Sequence, residues 1–264
     1  MTKFLYFLLF SILISSCSPY QKALKSDDVS VKYAQAEKKY NAKKYNKAIR
    51  LFEQLAPAFR GKPQSEKMFY MFAQSYYITE QYYLGAYQFE SFVSSYPKSE
   101  KIEETAFLVG KCYSMLSPSY SLDQTETIKA IDKLQNFIDT YPNSTYLPEA
   151  NVTLKKLTDK LEKKYYEIAK QYNTISDYKA ALVALENFIA EYPGTPFKEP
   201  ALFYRFDSAY KLAINSVPAK MEERLKNAKI AYTNLIKFKE DTKYKKQADE
   251  MLAKIDTDLK QFSK

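Results

Sequence analysis

Two thiols and no imidazole bound the chemistry open to this chain, which holds two Cys and no His. Cys17 follows Leu13-Ile14-Ser15-Ser16. Small residues beside a thiol suit a peptidase that cleaves before the cysteine and leaves its sulfur to carry a diacylglycerol. Cys112 stands in an apolar stretch with helical spacing and has no CxxC neighbour, so it reads as a buried small hydrophobe. With Cys17 as a thioether, Cys112 has no partner and no disulfide is expected. The missing His excludes Ser-His-Asp and Cys-His catalysis and His metal sites. Carboxylate pairs such as Glu103/Glu104 and Glu149/Asp159 read as solvated helix faces. No enzyme activity, metal or cofactor is expected.

The elements around Cys17 explain its position. Lys3 is the one charge in the first 20 residues, and Phe4 to Ile14 is apolar apart from Ser11. A bilayer-spanning helix needs about 20 residues, so this run matches the core of a secretory signal peptide. Together with Cys17 it resembles the bacterial lipobox. Residues 1–16 are therefore assigned to a signal peptide, and 17–31, polar and opened by Pro19, to a lipidated tether.

Composition narrows the fold. The chain has 264 residues, 46% of them hydrophobic, enough for a core without disulfides. Four Gly are too few for most barrels, dinucleotide folds or phosphate loops. The unusual figures are 25 Tyr and 17 Phe with no Trp, which lean toward an all-helical binding protein. The net charge is +9, but the Lys residues are scattered among acids, the densest block being Lys237 to Lys246. An exported protein does not meet its own cell's nucleic acid, so no nucleic acid partner is expected. A solvated helix face, an acidic partner surface and the anionic membrane face are the readings of that block.

From residue 30 onward apolar residues recur at i, i+3, i+4 and i+7. Four segments share a register: Tyr45-x-x-Ala48-x3-Phe52-x-x-Leu55, Tyr82-x-x-Gly85-x3-Phe89-x-x-Phe92, Thr127-x-x-Ala130-x3-Leu134-x-x-Phe137 and Tyr178-x-x-Ala181-x3-Leu185-x-x-Phe188. A weaker fifth copy is Ala228-x3-Tyr232-x-x-Leu235. Three copies end in Tyr96-Pro97, Tyr141-Pro142 and Tyr192-Pro193. The small residue lets two helices approach, the large ones fill the gap beside it, and the proline stops the helix. Each copy follows a helix marked by a small residue and a Tyr: Ala36/Tyr40, Ala73/Tyr76-Tyr77, Gly110/Tyr113 and Ala169/Tyr172. This is the helix–turn–helix pattern of tetratricopeptide repeats (TPR), whose period is about 34 residues.

Insertions stretch the period to 37, 45, 51 and 47 residues between successive small residues. They are placed at Ser117 to Thr125, in a long helix over 147–173, and at Ser216 to Pro218. Thr195-Pro196 reads as the cap and first residue of the helix opening the fifth repeat. The expected organisation is an all-α, TPR-like helical-hairpin solenoid of about five repeats. Repeats 1–3 occupy 32–145, and repeats 4–5 with the long linking helix occupy 146–264.

A TPR solenoid turns the first helix of each pair inward. One inward position holds Tyr33, Tyr70, Phe107, Tyr166 and Tyr204, with Tyr40 and Tyr77 two turns further along. Such a stripe suits peptide binding, because Tyr brings rigid apolar area with a polar tip. It equally suits packing between adjacent repeats, and both readings stand at this point.

A lipobox followed by about five TPR-like repeats with Tyr-Pro helix ends resembles the BamD family of outer-membrane protein assembly factors. Cys17-Ser18-Pro19-Tyr20-Gln21-Lys22-Ala23-Leu24 through Lys44-Tyr45-Asn46-Lys47-Ala48-Ile49 is especially similar to the version found in Bacteroidetes. The resemblance implies a periplasm-facing protein held at the outer membrane by the lipid on Cys17. It implies a scaffold that binds the periplasmic POTRA region of a BamA-like barrel protein through its C-terminal repeats. It also implies that the N-terminal repeats receive the C-terminal targeting strands of unfolded outer-membrane proteins. Tyr33, Tyr40, Tyr70, Tyr77 and Phe107 are then the substrate-facing set. The alternative is another periplasmic TPR lipoprotein that coordinates cell-envelope or peptidoglycan machinery. A SusD-like glycan binder fits poorly, being about twice as long and displaying Trp for sugar stacking.

Overall fold

A computed structural model of the protein describes residues 18–62 and 65–262. The assigned signal peptide and Cys17 lie outside the described residues. Among those residues the chain forms twelve α-helices and no strand. They are α1 (Pro19–Lys25), α2 (Val29–Asn41), α3 (Tyr45–Phe59), α4 (Glu66–Ile78), α5 (Tyr82–Ser95), α6 (Ile102–Leu116), α7 (Thr125–Thr140), α8 (Leu147–Thr174), α9 (Tyr178–Glu191), α10 (Lys198–Ile214), α11 (Pro218–Phe238) and α12 (Lys245–Leu259). Helices α2/α3, α4/α5, α6/α7, α8/α9 and α10/α11 are the five TPR-like hairpins, and α12 follows the last. None of the described helices is long and apolar enough to cross a membrane.

The chain divides into two compact units. One runs to Pro118 and includes Asp123–Leu157; the other holds Ser119–Leu122 and everything from Thr158 onward. The division falls inside α8.

The small residues of the repeat are the points of closest approach. Ala48, Ala130, Ala181 and Ala228 are each 0% exposed, and Phe52, Leu134, Leu185 and Leu235 are buried beside them. The two helical glycines differ in how tightly they are held. A Cβ on Gly110 would lie 2.7 Å from Leu134 Cγ, whereas one on Gly85 would meet Cys112 Sγ at 3.4 Å.

Two kinds of turn alternate. Within three hairpins the first helix ends on a left-handed residue that is not glycine: Lys43 (φ 56°), Glu80 (φ 60°) and Ser176 (φ 65°). Each closes the same pair of bonds. For Glu80, its N–H reaches the Tyr77 carbonyl at 3.0 Å, and the next N–H, of Gln81, reaches that of Tyr76 at 2.9 Å. This closure satisfies the carbonyls a helix end leaves unpaired.

Between hairpins the Tyr-Pro signal continues into a buried hydroxyl. Ser99, Ser144 and Thr195 stand three residues after Tyr96, Tyr141 and Tyr192, and each N–H returns to that tyrosine's carbonyl at 3.0–3.1 Å. Each hydroxyl then accepts an N–H two residues on, from Lys101, Tyr146 and Phe197. Thr242 repeats this last bond ahead of α12. Thr195 therefore holds the turn, and α10 opens at Lys198 rather than at Pro196.

The stretch assigned to a tether also differs. Residues Pro19–Lys25 form α1, capped by the Ser18 hydroxyl, and α2 already begins at Val29. Tyr20 and Ala23 are buried in the core of the first hairpin. A seven-residue helix with only three apolar side chains is too short for its period to show in sequence.

Candidate functional site

In the first unit the opening helices of the hairpins are tied rung by rung. Glu37 of α2 pairs with Lys67 of α4. Tyr70 of α4 donates its phenol proton to Glu104 Oε1 of α6 at 2.7 Å. Gln74 Nε2 donates to both Tyr70 Oη and Glu104 Oε1 at 3.1 Å. Lys101 Nζ stands 3.3 Å from the other Glu104 oxygen and 5.4 Å from the Tyr70 ring centroid. Lys111 of α6 pairs with Glu149 of α8 at 2.7 Å.

The aromatic set lies along these rungs. Tyr33 is half-buried and stacks on Phe59 at 5.8 Å. Tyr40 is half-buried, edge-on to Tyr45 at 5.5 Å. Tyr77 lies edge-on to Tyr82 and Phe89. Burial pushes all of these phenols up; Tyr45 and Glu104 add to the effect at Tyr40, and Glu37 adds to it at Tyr33. At Tyr70 burial and the hydrogen bond to Glu104 raise the phenol furthest. Tyr40, Tyr70 and Glu104 thus share one neighbourhood, with half-open rings, phenol groups, a carboxylate and an ammonium.

Phe107 is placed differently. It is only 3% exposed, stacked on Tyr146 at 5.2 Å and tilted against Phe137 at 5.6 Å. It belongs to the core cluster against which Tyr77 packs. Its repeat partners in the second unit behave alike: Tyr166 stacks on Phe197 at 5.4 Å, and Phe203 on Tyr244 at 4.1 Å. The fifth member of the stripe is therefore Phe203, one residue before Tyr204. Glu104, which sequence reading left on a solvated face, is the acceptor that organises the site. Its spacing of 34 residues from Tyr70 was the available signal.

In the second unit, Asn173 is buried and donates to Asp207 Oδ2 and Ser208 Oγ, both at 2.8 Å, while Lys211 pairs with Asp207 at 2.7 Å. A different face of α8 is open. Tyr165, Ile168 and Tyr172 are exposed by 39, 48 and 37%, and Ile175, just past the helix end, by 61%. By repeat position, Ile168 and Tyr172 match Phe72 and Tyr76 of α4. Those two are covered by α3, through Phe52 at 5.7 Å from Phe72 and Glu53 at 2.8 Å from the Tyr76 hydroxyl.

Burial pushes the Cys112 thiol up to about 12, so it holds its proton at neutral pH. Among the described residues no group of three or more Cys, Asp or Glu side chains is placed to hold a metal.

Comparison with known proteins finds the following similarities. A model of the YfiO family, described as an outer membrane lipoprotein, matches residues 25–225. The outer membrane protein assembly factor BamD of Caulobacter vibrioides is 21% identical over 71% of this chain, the match spanning 61% of that relative's length. The BamD of Haemophilus influenzae is 21% identical over 81% of this chain and 86% of the relative. Among solved structures, the crystal structure of MamA protein covers 80% of this chain and 95% of its own at 16% identity, with a TM-score of 0.33.

Proposed function

The chain belongs to the YfiO family of outer membrane lipoproteins, and from that premise we propose that it is an assembly factor for outer-membrane β-barrel proteins, of the BamD kind, and not an enzyme. Acylated on Cys17 and facing the periplasm, it holds two kinds of protein at once. The first unit receives the C-terminal targeting strand of an unfolded barrel protein. The second docks on the periplasmic POTRA region of a BamA-like barrel.

The observation that carries the first half is the Tyr70–Glu104 pair with Tyr40 in its neighbourhood, and Tyr33 on the same face of α2 as Tyr40 extends it. Half-open phenol rings on rigid helices offer stacking area at low entropy cost to a strand that ends in an aromatic residue. Lys101, 5.4 Å from the Tyr70 ring, offers a charge to the strand's terminal carboxylate. Tyr77 extends the surface and packs on the core cluster that contains Phe107. The second half is supported by the open stripe on α8, which is apolar at positions the first unit covers with a helix.

The test is binding of a fluorescent peptide carrying a barrel protein's last strand. Binding to the wild-type chain, weakened by removing the peptide's terminal aromatic residue and by Tyr70→Ala, supports the reading. Equal binding of an unrelated peptide of the same charge refutes it.

A further inference from the structure

The first hairpin carries a strong charge imbalance. Between residues 18 and 50 there are nine Lys and Arg against three Asp and Glu, a surplus of six in a chain whose net charge is +9. The surplus gathers at one end of the hairpin. Lys39, in the last turn of α2, and Lys47, in the first turn of α3, place their ammonium groups 5.5 and 5.4 Å from the Tyr20 ring centroid. Lys43 and Lys44 lie in the turn between the two helices, and both are exposed, as are Lys47 and Arg50. Their mutual repulsion shows in Lys39, whose ammonium is pushed down by burial and then by Lys44, Lys47 and Lys38. Among the described residues none of these cations is in an ion pair.

The acids lie elsewhere. Asp27 and Asp28 sit at the opposite end of α2, about 17 Å away by helical rise, where Asp28 caps the helix through Ser30. Glu37 is held by Lys67.

The position of this cluster relative to the anchor gives it a partner. Tyr20 is buried in the first turn of α1, and Cys17 is three residues before it. Three residues of extended chain reach at most about 11 Å. A diacylglycerol on Cys17 therefore keeps the lysines beside Tyr20 within about two Debye lengths of the bilayer. Tyr20 fixes which end of the hairpin faces the membrane.

We propose that the basic end of the first hairpin, Lys39 and Lys47 beside Tyr20 with Lys43 and Lys44 in the adjoining turn, docks on the anionic phospholipid surface next to the acyl anchor. The two contacts together set the orientation of the first unit against the membrane. A single lipid attachment leaves a protein free to swivel; a charged contact displaced from the attachment removes that freedom. This rests on the acylation of Cys17 and goes beyond the assembly role.

The test uses the mature acylated protein, reconstituted into vesicles of phosphatidylcholine alone and of phosphatidylcholine with phosphatidylglycerol. Lysines are labelled with a soluble amine reagent and read by mass spectrometry. Labelling of Lys43, Lys44 and Lys47 is expected to fall about fivefold on the anionic vesicles and recover in about 0.5 M salt. The exposed Lys254 should label equally in every condition. Equal labelling of the three turn lysines on both vesicles overturns the proposal. So does protection found only in native membranes, which assigns the patch to a protein. The mass of the Cys17 peptide from the same sample separates the premises: without an acyl mass the lipoprotein reading has failed, and with it the docking claim alone is at stake.

Discussion

The Tyr70 hydroxyl and the Glu104 carboxylate, 34 residues apart, are joined at 2.7 Å across two successive opening helices. The bond fixes the ring that the proposed peptide surface depends on. It also leaves a pH signature. The Tyr70 phenol is raised above its ordinary value of 10.0, so its contribution to stability is full below pH 10.0 and is lost as pH rises from there through the folded value. Alkaline unfolding should therefore begin near the ordinary tyrosine range. Tyr70→Phe, followed by circular dichroism against pH, is expected to cost about 1 kcal/mol at neutral pH and flatten the alkaline slope. Removing the ring with Tyr70→Ala should weaken peptide binding about tenfold, more than Tyr70→Phe does.

Gly110, the small residue of its hairpin's first helix, and Gly85, that of the preceding hairpin's second helix, should answer differently to one methyl group. At Gly110 the added Cβ would lie 2.7 Å from Leu134 Cγ and 3.2 Å from its backbone N. Gly110→Ala should lower stability by about 1–3 kcal/mol despite better helix propensity. At Gly85 the nearest atom is Cys112 Sγ at 3.4 Å, so Gly85→Ala should be neutral or gain up to about 1 kcal/mol. Urea unfolding of both variants checks the register directly.

Glu80 and Ser176 end their helices at φ 60° and 65°, where side chains are strained. Glycine should relieve about 1–2 kcal/mol of strain while losing about 0.5–1 kcal/mol to its freer unfolded chain. Glu80→Gly and Ser176→Gly are therefore expected to raise Tm slightly, together or apart. A fall in Tm for both would contradict the turn geometry.

Ile168 is 48% exposed on the open stripe of α8. A charge there removes little packing, so Ile168→Glu should change folding stability by less than about 0.5 kcal/mol. If the stripe is the partner-docking face, the same variant should lose the barrel partner in pull-downs while still binding targeting peptides. Retention of the partner would move the docking face elsewhere.

What could be read from sequence followed the physics of spacing. Ala48, Gly85, Ala130, Ala181 and Ala228 mark close helix approaches that tolerate only small side chains, so their register showed the hairpins without structural help. The turns were half legible. Tyr-Pro announced three of them, but the buried Ser99, Ser144 and Thr195 that close them look like ordinary surface hydroxyls in a sequence. The left-handed ends at Lys43, Glu80 and Ser176 were invisible because glycine, their usual marker, is absent. Helix α1 was too short to show a period. The aromatic stripe came from counting positions, which cannot tell a half-open Tyr70 from a buried Phe107, and which slipped by one residue at Tyr204. Glu104 was missed because a carboxylate on a helix acquires meaning only when the neighbouring helix presents its donor.

The most direct measurement is a pull-down of the C-terminally tagged chain from native membranes in mild detergent, with mass spectrometry of stoichiometric partners. Recovery of a BamA-like barrel protein with POTRA domains is the result expected of an assembly factor. Its clean absence, with peptidoglycan or other envelope factors recovered in its place, would contradict the assembly role and leave a TPR lipoprotein of a different machinery.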